Sequence, residues 1–120
     1  MWVWVVVTNP AAGSEVMRGT ADPSNVFSVI GICVSHNFTS PVTVRVQVIA
    51  DATGEVAHYF DLVVPASSTF VLYSPDDTII SEIGREYFET LQVLAMTGGS
   101  YTLSVGLCIR GVPSGIWGRS

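Results

Sequence analysis

Residues 26–50 read VFSVIGICVSHNFTSPVTVRVQVIA, two apolar, β-branched runs on either side of a polar turn that ends at Pro41. In the second run Val42, Val44, Val46 and Val48 alternate with Thr43, Arg45 and Gln47, the period of two expected of a strand with one buried face. In the first run both faces are apolar, with Phe27, Val29 and Cys33 opposite Ile30, Ile32 and Val34. Such a strand is expected to be central, covered on both sides or paired with a partner chain. The two runs predict a hairpin to which the remaining strands add.

Moving downstream, Asp51-Ala52-Thr53-Gly54 is a turn, and residues 55–64 (EVAHYFDLVV) place Val56, His58, Phe60, Leu62 and Val64 on one side. Pro65-Ala66-Ser67-Ser68 is a second turn, Thr69–Tyr73 a short strand, and Ser74-Pro75-Asp76-Asp77 a third turn. Turns recurring about every ten residues predict an all-β chain, a single antiparallel β-sandwich of Ig-like or jelly-roll-like form. Residues 79–89 leave a short helix open, because Ile80, Ile83, Tyr87 and Leu91 also fit helical spacing. Strands return over 91–97 and 100–110, with Gly98-Gly99 between them and Tyr101, Leu103, Val105, Leu107 and Ile109 aligned.

The two ends read differently. In WVWVVVT, residues 2–8, Trp2, Trp4 and Val6 share one face and Val3, Val5 and Val7 the other. Asn9-Pro10-Ala11-Ala12-Gly13 breaks the run, and the stretch through Asn25 has little periodicity. Residues 1–25 are therefore expected to form an N-terminal strand and arm, 26–110 the sandwich, and 111–120 a docking tail. All three tryptophans lie in the ends, Trp117 beside Ile116 in the glycine-rich tail. Trp2, Trp4, Val6, Ile116 and Trp117 are the candidate interface residues, through strand addition to a neighbour or aromatic docking. An ordinary edge strand of the chain's own sheet is the competing reading of 2–8.

The 120 residues suffice for one domain with a core. Charged residues make up 12% of the chain, about half the usual share, so surface is expected to be hidden in an assembly. Ten carboxylates face five arginines, without a lysine and without the basic stripe of a nucleic-acid binder. No apolar run approaches the roughly eighteen residues of a membrane span, and MWVWVVV lacks the positive n-region of a signal peptide. A cytosolically made, uncleaved protein with Cys33 and Cys108 as two buried thiols is the expectation.

No pattern here states a chemistry. His36 and His58 have no metal-ligand spacing with the cysteines, and Gly-x-Ser-x-Gly is missing, so neither a metal nor a catalytic set is assigned and no cofactor is expected. Asp76-Asp77 with Glu82 lacks the spacing of a calcium loop. Asn37-Phe38-Thr39 matches a glycosylation triplet, which matters only in a secreted chain. Tyr59, Tyr73 and Tyr101 would form a sugar-stacking platform if they were grouped on one surface, but strand aromatics more often serve a core or an interface.

The succession VFSVIGICVSHNFTSPVTVRVQVI, LVVPASSTFVL and ETLQVLAMTGGSYTLSVGLCI resembles small β-sandwich virion proteins of tailed bacteriophages, over about residues 26–110. The tryptophan-rich first strand, the Trp117 tail and the 74–89 segment depart from that pattern. The resemblance implies a structural role in the virion, as a capsid decoration or cement protein or a head, neck or tail component. Its partners would be further copies of itself, or a major capsid or tail protein, after synthesis in a bacterial cytoplasm. The competing expectation is a carbohydrate-binding or adhesive sandwich, which requires exposed aromatics grouped on one surface.

Overall fold

The computed structural model describes residues 2–20, 27–50, 53–73, 80–83 and 89–111. They form β1 (Trp2–Thr8), β2 (Ser14–Thr20), β3 (Phe27–His36), β4 (Val42–Ala50), β5 (Glu55–Val64), β6 (Thr69–Tyr73), β7 (Ile80–Ile83), β8 (Glu89–Ala95) and β9 (Thr102–Gly111). One sheet runs β1-β9-β3-β6, with β7 also pairing β3, and the other runs β2-β8-β4-β5. All pairings are antiparallel. The sheets pack face to face over a core that includes Met17, Ile32, Val44, Leu91, Leu103 and Leu107.

The pairings are nested. β4 pairs β5, β3 pairs β6, β2 pairs β8 and β1 pairs β9, as in one long antiparallel ribbon rolled over on itself. This is a jelly roll, which decides between the two sandwich forms expected. The hairpin expected over residues 26–50 is not formed. β3 and β4 lie in different sheets, and the polar turn between them crosses from one sheet to the other. His36, at the end of β3, is buried in this crossing. Its Nε2 contacts the Val64 carbonyl at 3.3 Å and its Nδ1 accepts the Phe38 amide at 3.1 Å. The Ser67 amide donates to the Phe38 carbonyl at 2.8 Å, so the β3–β4 and β5–β6 connections hold one another. The hairpin partner of β4 is β5.

Bulges in the strands explain where simple alternation failed. In β3 the register against β9 slips between Val29 and Gly31, so Ile30 is the inserted residue. Val29 therefore joins Ile32 and Val34 in the core, on the opposite side from Cys33. In β2 the register slips between Glu15 and Met17, and the consecutive Val16 and Met17 are both fully buried. The expectation that residues 1–25 form a strand and arm outside the sandwich is corrected by β2, which is a strand of the second sheet. Within 79–89, where a helix was left open, Ile80–Ile83 is a strand, and residues 84–88 lie outside the described residues.

In β5 the register against β4 slips at Ala57, so Val56, expected on the side of Phe60, Leu62 and Val64, is exposed, while the alternation of β4 and β9 holds. Val42, Val44, Val46 and Val48 are buried, as are Tyr101, Leu103, Val105, Leu107 and Ile109. Cys33, half-buried, and Cys108, buried, are free thiols, and burial pushes the Cys33 thiol up from its ordinary value.

Candidate functional site

The outer face of the β1-β9-β3-β6 sheet carries the candidate site. β1 pairs with β9 of its own chain and ends its sheet, as the edge-strand reading of residues 2–8 expects. Its inner side, Val3, Val5 and Val7, packs against the core. Its outer side presents Trp2 at 38%, Trp4 at 54% and Val6 at 59% exposure. Large apolar side chains grouped in water on one face make that face the candidate.

Glycines set how the rings lie. Trp4 is opposite Gly106, and a Cβ placed on Gly106 would meet the Trp4 ring at 2.6–2.8 Å. The indole therefore lies across bare backbone, an aromatic covering a strand glycine. Trp2 is opposite Cys108 and reaches over it toward β3, its Cη2 3.2 Å from where a Gly31 Cβ would stand. From the far side of the sheet, Tyr73 of β6 is opposite Gly31 and brings its Cδ1 to 2.9 Å of the same point. Trp2 and Trp4 have ring centroids 5.7 Å apart at an interplanar angle of 21°, and Trp2 and Tyr73 are 6.3 Å apart at 32°. Trp4, Trp2 and Tyr73 thus form a continuous aromatic row from one edge of the sheet to the other. Val6 and Val71, each 59% exposed, extend its apolar surface.

Of the five interface residues expected from sequence, Trp2, Trp4 and Val6 come together here, and Ile116 and Trp117 lie outside the described residues. Tyr73 is the partner that sequence alone could not join to the tryptophans, because only the β6-β3-β9-β1 order brings residue 73 beside residue 2. The three tyrosines weighed as a platform are dispersed. Tyr101 is buried, donates its hydroxyl to the Thr97 carbonyl at 2.5 Å and stacks on Phe38 at 4.7 Å. Tyr59 is exposed on the opposite sheet, beneath the Arg45 guanidinium.

The other candidates resolve as structural parts or fall outside. Asn37 is exposed and its Oδ1 accepts the Thr102 amide at 2.8 Å, fixing the start of β9. His58 is opposite Val48 in the sheet register. The Asp76-Asp77 turn and the Glu82 side chain lie outside the described residues. Among the described residues, no three His, Cys, Asp or Glu side chains are grouped as metal ligands would be.

No protein-family model matches the sequence, and no curated protein matches it at a significant level. Solved structures match the fold. A xylan-binding domain from CBM 22 is similar at 16% identity and a TM-score of 0.54, over 92% of this chain and 73% of that one. The C-terminal family 22 carbohydrate binding module of Clostridium thermocellum Xyn10B is similar at 18% identity and a TM-score of 0.51, over 92% and 72%. PirA is similar at 18% identity and a TM-score of 0.52, over 88% and 91%. At such identities the likeness establishes the β-sandwich and no activity.

Proposed function

We propose that this chain is a carbohydrate-binding or adhesive β-sandwich module that receives sugar rings on the Trp4, Trp2 and Tyr73 row. The observation that carries the reading is the grouping of exposed aromatics on one sheet face, the feature that separates this class from a purely structural sandwich. Indole and phenol rings offer wide, rigid apolar faces with polar edges, suited to the C–H faces of a pyranose, and they cost little conformational entropy on binding. The fold likeness to carbohydrate-binding modules supports the reading at the level of scaffold. The role is binding, with no catalytic step assigned to the chain.

Electrophoresis through gels containing soluble xylan, β-glucan or mannan tests it. The wild-type protein is retarded by at least one polysaccharide, and Trp4→Ala restores free migration. Wild-type migration unaffected by all three overturns the reading.

The virion structural role is the second reading, favoured by a different observation. β1 and β6 are the ends of their sheet, and exposed Val6, Val71 and Leu72 lie on these two strands. An apolar edge of this kind suits contacts with further copies of the chain or with a capsid or tail protein. Sedimentation velocity at micromolar concentrations separates the readings. Concentration-dependent association that Val6→Lys abolishes supports assembly, and a monomer at every concentration leaves that role without its motive.

A further inference from the structure

The tilt of the aromatic rings decides which sugar chain can lie on them. A Cβ on Gly106 would meet Trp4 Cζ3, Cε3 and Cη2 at 2.6, 2.7 and 2.8 Å. These are three consecutive ring atoms, and distances so nearly equal place the contact on the face of the indole. An edge-on approach would leave the outer two atoms much farther than the middle one. Trp4 is therefore laid flat on β9, with its other face turned to solvent.

The next rings keep close to that plane. Trp2 departs from the plane of Trp4 by 21°, and Tyr73 from that of Trp2 by 32°. The centroid steps of 5.7 and 6.3 Å are each close to the length of one sugar unit in an extended chain. The row thus offers successive apolar faces whose direction changes only gently.

Sugar chains differ in whether they can match it. In a β-1,4-linked chain of all-equatorial hexopyranoses, both faces of every ring carry axial C–H bonds, and a near-two-fold screw keeps successive faces almost parallel. Such a ribbon can rest on all the rings at once, C–H face against aromatic face. A xylan chain winds as a three-fold screw and turns each ring well out of the plane of the last. An α-1,4-glucan curls away from a flat row. Rings engaged by one chain share a single association cost, so affinity follows the number of rings covered together.

The ends of the row add a second constraint. Trp4 and Trp2 are on β1 and Tyr73 is on β6, the two ends of the path β1-β9-β3-β6. Among the described residues no strand pairs the outer side of either. A polymer can therefore run past the row over both edges of the sheet, and the row requires no chain end.

Given that this row is the sugar platform proposed above, we infer that its ligand is the interior of an extended, all-equatorial β-1,4-linked polysaccharide, a cellulose-like ribbon, with one sugar unit on each ring.

Isothermal titration calorimetry of the wild-type protein with cellobiose, cellohexaose, xylohexaose and maltohexaose tests the choice of chain. Cellohexaose is expected to bind at least tenfold more tightly than the other three, and Tyr73→Ala, at an exposed edge position, weakens it at least fivefold. Swollen amorphous cellulose, whose long chains have few ends, is expected to deplete the protein from solution. Xylohexaose or maltohexaose bound as tightly as cellohexaose overturns the inference and leaves the sugar-platform reading standing. So does cellohexaose binding that swollen cellulose fails to reproduce, that cellobiose equals, or that Tyr73→Ala leaves unchanged. No binding to any of these sugars, nor to the polysaccharides of the retardation gels, overturns both.

Discussion

Single atoms decide what the tryptophan row can do. Because the Trp4 indole occupies the space where a Gly106 side chain would stand, Gly106→Ala displaces the ring without removing any aromatic atom. The obstacle is an exposed side chain free to tilt, so the sheet survives. Gly106→Ala is expected to melt within a few degrees of wild type by circular dichroism, with an altered tryptophan emission spectrum and weakened polysaccharide retardation. Unchanged emission would mean that the ring does not rest on that glycine.

The Arg45 hydrogen bonds hold the Asp61 carboxyl below its ordinary value of 3.8. A carboxyl whose folded value is lowered stabilises the protein above its unfolded value, and that contribution is lost as pH falls through the folded value. Asp61→Asn should therefore melt below wild type at neutral pH and converge with it in stronger acid, where both positions are uncharged. The gap is small, because the pair is largely open to solvent. A gap that widened in acid would contradict the assignment.

At the level of elements, unbroken alternation made a strand's buried face readable, whereas a bulge hid which residues face the core in β3 and β5 and hid β2 altogether. β4 and β9 announced their buried faces because every second residue is apolar. Val46→Asp should abolish cooperative folding, since an unpaired carboxylate among buried valines costs several kcal/mol of a typical total of about 5–15. Arg45→Ala, on the other face of the same strand, should barely move the melt. A reversed ranking would mean that the register is shifted by one.

β2 was missed because its bulge places Val16 and Met17 side by side in the core and erases the period of two from SEVMRGT. Met17→Ala is expected to cost about 2–5 kcal/mol in urea unfolding, as for a fully buried side chain. A loss within error would return the segment to the status of an arm. The supposed hairpin of 26–50 failed for a different reason. Adjacent apolar runs say that two strands exist, but which sheet each joins is set by partners far along the chain. The same limit hid Tyr73 from the tryptophans, whose exposed face was itself legible in the alternation of residues 2–8.

At the scale of the whole molecule, the nested ribbon ties β1 to β9, about a hundred residues further along. β4 and β5 can pair as soon as both exist, whereas residues 2–8 must wait for residues 102–108. Pairings so distant in sequence carry the greatest loop-closure cost and form slowly. On a ribosome, Trp2 and Trp4 are made before β9 and remain without a floor until it has been synthesised. The aromatic row thus waits on β9, because a chain without β9 lacks the glycine floor on which Trp4 lies. In a Trp117→Phe background, where Trp2 and Trp4 are the tryptophans left, stopped-flow refolding should show the emission change arriving after the far-ultraviolet sheet signal. Emission that led the sheet signal would mean that β1 and β9 nucleate the fold. In the expected order, a nascent chain cannot offer the row as a surface until β9 is in place.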